Sequence, residues 1–127
     1  IVKKVIAALF ASALFLSGCS SSEGVSDLGA GDFISQSQVE GVVLIDVRTP
    51  EEFSEGHIAG AINIDVQSPT FDSEIASLDK SVTYALYCRS GNRSGIAAGK
   101  MSDAGFMSIL NAQVGYVDLV NAGAVSA

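Results

Sequence analysis

The stretch Val82-Thr-Tyr-Ala-Leu-Tyr-Cys88-Arg-Ser-Gly-Asn-Arg93-Ser-Gly-Ile-Ala-Ala-Gly-Lys-Met-Ser-Asp-Ala-Gly105 decides how the chain folds. Val82 to Tyr87 is an apolar run with the length and residue types of a buried strand, and Cys88 to Arg93 is a short polar turn. Ser94 to Asp103 then has the apolar spacing and small residues of a helix. A thiol therefore stands where a strand ends and a helix begins. In an open α/β sheet that is where ligands bind, because the amides at the helix N-terminus converge there and the dipole favours negative charge. A buried structural cysteine is the ordinary alternative, but two arginines, Gly91 and Asn92 follow Cys88 directly, and so polar a turn is a poor core position. Gly91 and Asn92 tolerate the backbone angles of an anion nest, and Arg89 and Arg93 add positive charge. Such surroundings lower a cysteine pKa and populate the nucleophilic thiolate at neutral pH.

Outward from this stretch, Val42 to Val47 reads as a central parallel strand interrupted only by Asp46, and Pro50 opens a short helix whose Glu51 and Glu52 suit the positive end of its dipole. Ala61 to Ile64 reads as another strand, and Phe71, Ile75 and Leu78 lie on one helical face. Strands alternating with helices imply parallel pairing and right-handed crossovers, hence a three-layer α/β/α domain with a mostly parallel sheet and the Cys88 strand at its centre. If the strands are parallel, Asp46 and Arg48 share the sheet edge of the cysteine loop, either binding substrate or forming a buried charge pair that shapes the pocket. The second role is favoured, since buried charges need partners.

Two segments carry a family resemblance. Tyr87-Cys88-Arg89-Ser90-Gly91-Asn92-Arg93-Ser94 resembles the active-site loop of the rhodanese family, sulfurtransferases that carry sulfur as a cysteine persulfide. Leu44 to Phe53, continuing through Gly56-His57-Ile58-Ala59-Gly60-Ala61-Ile62-Asn63-Ile64, resembles that family's other signature, in the same order and spacing. The resemblance covers most of the chain from about residue 31 onward and implies sulfane-sulfur transfer from thiosulfate or a polysulfide, through Cys88, to a thiol or cyanide. It implies no cofactor. Arg89, Ser90, Gly91, Asn92 and Arg93 would bind the anionic donor and stabilise the persulfide, with Asp46 and Arg48 behind them. His57, the sole histidine, is similar to a structural turn residue of the family, and a thiolate formed by its surroundings needs no general base. One histidine and one available cysteine cannot supply a metal site. Related phosphatases have a Cys-x5-Arg loop where this chain has Cys-x4-Arg, a cradle for sulfur and not for phosphate. A non-catalytic binding module or dedicated sulfur carrier is the alternative on the same fold. The chain departs from the family near its end, where Val114-Gly115 and Leu119 replace paired glycines and a tryptophan.

Lys3 and Lys4 precede the apolar run Val5 to Leu16, which is too short to span a bilayer as a helix of ~20 residues but suits the core of a secretory signal. Leu16-Ser17-Gly18-Cys19 resembles a bacterial lipobox, so residues 1–18 are expected to be a signal and Cys19 the lipidated first residue of the mature chain. Ser20 after it resembles the pattern of lipoproteins sent to the outer membrane. The expected location is the cell envelope, on the periplasmic side of the outer membrane or the outer face of a single-membrane cell. An envelope protein is then a candidate sulfur acceptor. Residues 19–32, rich in serine and glycine, are expected to be a flexible tether and 33–127 the folded domain. With 14 acidic and 7 basic residues the chain is acidic, which argues against nucleic acid and makes the arginines around Cys88 a local exception.

Overall fold

A computed structural model describes residues 24–127. Residues 1–18, expected to be a signal, and Cys19 lie outside the described residues. The elements run β1 (Val25–Leu28), α1 (Ala30–Ser37), β2 (Val43–Asp46), α2 (Pro50–Glu55), β3 (Ile62–Asn63), α3 (Phe71–Ala76), β4 (Thr83–Tyr87), α4 (Asn92–Asp103), β5 (Ser108–Ala112) and α5 (Tyr116–Asn121). The strands form one sheet in the order β1-β5-β4-β2-β3, and every pairing is parallel. The Cys88 strand is central, as expected.

Burial on both faces explains the continuous apolar runs of β2 and β4. On one face Ile45, Val47, Leu86 and Ile109 pack against Phe71 and Ile75 of α3 and Ala97, Ala98 and Met101 of α4. On the other, Leu44, Ala85, Leu110 and Ala112 pack against Phe33 of α1 and Leu119 of α5. Helix α2 buries no residue and rests on its capping box: Thr49 Oγ1 accepts the Glu52 amide at 3.3 Å, and Glu52 Oε1 accepts the Thr49 amide at 3.1 Å.

The tether expected over residues 19–32 is corrected from Val25 onward. Val25–Leu28 pairs with β5 in the register Val25↔Ile109 to Leu28↔Ala112, and α1 begins at Ala30, so the folded domain starts well before residue 33. A four-residue edge strand with two exposed positions is too short and too mixed to show a period, and the helical spacing Ala30, Phe33, Ile34 straddles the boundary drawn at 32. Helix α4 starts at Asn92, two residues earlier than its apolar spacing suggested. Gly91 sits at its N-cap with φ of 95°. Strand β3 is only two residues long.

Candidate active site

Strand β4 delivers Cys88 to the C-terminal edge of the sheet, where its side chain is fully buried. The chain turns back at once. Gly91, in the left-handed region, lets its amide reach inward to donate to Cys88 Sγ at 3.0 Å. Ser94 Oγ lies 3.6 Å from the sulfur and 3.3 Å from the carbonyl oxygens of both Gly91 and Ala112. Burial pushes the thiol pKa up, but the Ser94 amide and hydroxyl and the amides of Ser90 and Gly91 outweigh it, so the net shift is downward. This is a cradle of backbone donors at a helix N-terminus, of the kind that favours negative charge, closed around the sulfur.

The loop is braced from the segment that joins β5 to α5. A Cβ at Gly91 would stand 2.6 Å from the Gln113 carbonyl oxygen, and one at Gly115 would stand 1.6 Å from that of Arg89. The Tyr116 amide donates to the Cys88 carbonyl at 2.9 Å. Gly115 is thus required by close approach of two backbones, while Val114 takes the neighbouring place and packs into the α1/α5 layer.

The five loop residues divide by role. Gly91 cradles the sulfur, and Ser90 and Asn92 are exposed at the rim. Arg89 is exposed and lines a cleft of about 280 Å³ with Glu55 and Tyr116. It has no carboxylate within ion-pair distance among the described residues. Arg93, expected to stabilise the charge on Cys88, is held by Glu52 of α2 in a bidentate pair at 2.8 and 3.0 Å. Its charge near Cys88 is therefore partly neutralised. The Arg93 hydrogen bond, outweighing burial and helped by Thr49, holds the Glu52 carboxyl down to about 2.

Asp46 and Arg48 form the buried pair expected of them. Arg48 Nη2 lies 2.7 Å from Asp46 Oδ2, Arg48 Nε lies 2.9 Å from Oδ1, and the Arg48 amide donates to the same Oδ1 at 2.9 Å. Burial alone would lower the Arg48 pKa, but the hydrogen bonds and charge of Asp46 raise it on balance. Two residues that sequence reasoning missed complete the network. Tyr87 Oη donates to Asp46 Oδ2 at 2.7 Å and accepts the Ile58 amide at 3.0 Å, and the Tyr116 ring lies 4.4 Å from the Arg48 guanidinium. Arg48 Nη2 also donates to the Gly56 carbonyl at 2.6 Å, which ties α2's end to the sheet beside the cleft. His57 stacks on Phe53, with its Nδ1 3.0 Å from the Phe53 carbonyl oxygen, and exchanges backbone hydrogen bonds with Ala127. These are the contacts of a turn residue.

The family follows from this arrangement and from sequence comparison. The model for the rhodanese-like domain matches residues 30–122, and the chain belongs to that family. It is 31% identical to a rhodanese from E. coli solved with anions, with a TM-score of 0.56, covering 68% of this chain and 96% of that one. The rhodanese-like domain of the Alr3790 protein from Anabaena sp. shares the fold at a TM-score of 0.70 and 22% identity, over 83% of this chain and 79% of that one. Among curated proteins, the tRNA sulfurtransferase of Shewanella woodyi is 32% identical over 70% of this chain, and that of Haemophilus influenzae 33% identical over 55%. The chain spans only 17% and 15% of their lengths.

Proposed function

We propose that the protein is a sulfurtransferase that moves sulfane sulfur through a Cys88 persulfide. The observation that carries this is the sulfur held by the Gly91 amide, with Ser94 beside it, at the start of α4, in a Cys-x4-Arg loop. The Cys88 thiolate attacks the outer sulfur of thiosulfate, a new S–S bond forms at Sγ, and the donor's S–S bond breaks with its electron pair leaving on sulfite. Arg89, exposed at the rim, attracts the dianion. The loop amides take up the charge of the persulfide. Cyanide or a thiol then attacks the outer sulfur, and Cys88 returns to thiolate. Loading with thiosulfate or a polysulfide and discharge to cyanide or a thiol, followed as two separate steps, test this. Loading without discharge to any small acceptor favours a dedicated carrier serving a protein partner. Cys88-dependent turnover of an aryl phosphate would overturn the reading.

The lipobox supports a further part of the proposal: a lipid anchor at Cys19 that places the domain in the cell envelope. Val25, where the described fold begins, stands six residues after Cys19. Several acyl chains anchor far more firmly than one. Membrane fractionation of the full chain against Cys19→Ala tests it, and wild-type protein in the soluble cytoplasmic fraction with residues 1–18 attached would refute it.

A further inference from the structure

Because every pairing is parallel, all the strands begin at one edge of the sheet, and Cys88, after the end of β4, stands at the opposite edge. Gly24, just before β1, is at the first of these edges. Its carbonyl accepts the Ile109 amide at 2.7 Å, and a Cβ added to it would stand 2.8 Å from the Met107 carbonyl oxygen, so it lies against the segment that leads into β5. Met107 is the most exposed large apolar side chain among the described residues, at 70%. Val39, 57% exposed, stands at the same edge, where its carbonyl accepts the amide of Val42 just before β2. With only β4 between β5 and β2, the two approaches are about 10 Å apart. Beside Val39, Ser37 and Gln38 at the end of α1 and Val42 and Val43 at the start of β2 border an apolar groove of about 580 Å³, together with the exposed Val125.

Exposed apolar side chains are ordinary one at a time. What distinguishes these is their distance from Cys19, which stands six residues before Val25, and six residues reach at most about 22 Å. A lipid anchor at Cys19 holds this edge within that reach of the bilayer, so a contact too weak to form between separate molecules forms within one. The charges at the edge select the lipid. Glu40, Asp79 and Asp103 are exposed there. Against them stand Lys80, its ammonium 5.0 Å from the centre of the Phe106 ring, and Lys100, 3.8 Å from Asp72. This balance repels an anionic surface and leaves a neutral one.

We propose that this edge rests on a neutral, zwitterionic phospholipid surface, with Met107 and Val39 entering the interface and the Cys88 loop turned away from it. The proposal rests on the Cys19 anchor put forward above. The five residues from Thr83 to Cys88, about 16 Å of extended chain, hold the sulfur off the lipid on the aqueous side.

The chain has no tryptophan, so one introduced at the surface reports alone. Met107→Trp, Val39→Trp and, at the loop end, Val117→Trp are made in the full chain, purified from bacterial membranes and reconstituted into vesicles of brominated phosphatidylcholine. All three carry the same indole, so its own preference for interfaces cancels. Quenching at Met107→Trp and Val39→Trp at least twofold stronger than at Val117→Trp is expected. Equal quenching at all three, or strongest quenching at Val117→Trp, in protein that stays with the vesicles would overturn the proposal and leave the anchor standing. Blue-shifted emission at Met107→Trp without quenching would overturn it in favour of a second copy of the chain on this edge. A full chain absent from the membrane fraction is the failure of the anchor, and the proposal falls with it.

Discussion

Replacing Gly115 by alanine places a methyl carbon 1.6 Å from the Arg89 carbonyl oxygen and 2.9 Å from the Ser90 nitrogen. Neither partner is a side chain that can swing aside, so the two backbones must separate by more than an ångström. Separation stretches the Tyr116-to-Cys88 hydrogen bond, now 2.9 Å, whose loss costs roughly 0.5–1.5 kcal/mol. Forced repacking of the surrounding core adds about 1–3 kcal/mol. A total of roughly 2–4 kcal/mol corresponds to a fall in melting temperature of about 10–25 °C for a domain of this size. If the loop yields instead of the β5–α5 segment, the amides of Ser90 and Gly91 move off the sulfur and the thiol pKa rises. Thermal melting by circular dichroism, with thiolate absorbance across pH, reads both outcomes. An alanine variant with the wild-type melting temperature and the wild-type thiol titration would refute the claim that this contact braces the loop.

Glu52→Gln removes the anchor of Arg93. Because the folded Glu52 pKa is depressed from 4.5 to about 2, its contribution is fully present above pH 4.5 and is lost as pH falls through 2. The variant is expected to be less stable by about 1–2 kcal/mol at pH 7, after discounting for partial exposure, with the gap closing as pH falls through 2, by denaturant melts at each pH. Ser94→Ala takes away the hydroxyl hydrogen-bonded with Cys88 Sγ, which helps to lower the thiol pKa, and the thiol titration should move upward. Asp46→Asn leaves the Arg48 guanidinium buried without its carboxylate and is expected to cost roughly 3–5 kcal/mol in urea unfolding.

Much of this was legible because it is local. The apolar runs around Leu44 and Leu86, the turn residues after Cys88, and Pro50 with its glutamates each declare themselves within a few residues. What stayed hidden depends on contacts distant in sequence. Glu52 looks like a helix-dipole residue, and its second task, holding Arg93, exists only once β2 and β4 lie side by side. Tyr87 and Tyr116 look like ordinary core and surface aromatics until the buried Asp46–Arg48 pair draws on them. Strand β1 has no pattern of its own, because half of an edge strand faces solvent and its partner, β5, is more than eighty residues away.

Intact-mass measurement after incubation with thiosulfate and removal of excess donor tests the central claim most directly. Wild-type protein should gain the mass of one sulfur atom, lose it on addition of cyanide with release of thiocyanate, and Cys88→Ser should gain nothing. An unmodified mass with thiosulfate and with polysulfide, or a sulfur gain that persists in Cys88→Ser, would contradict it.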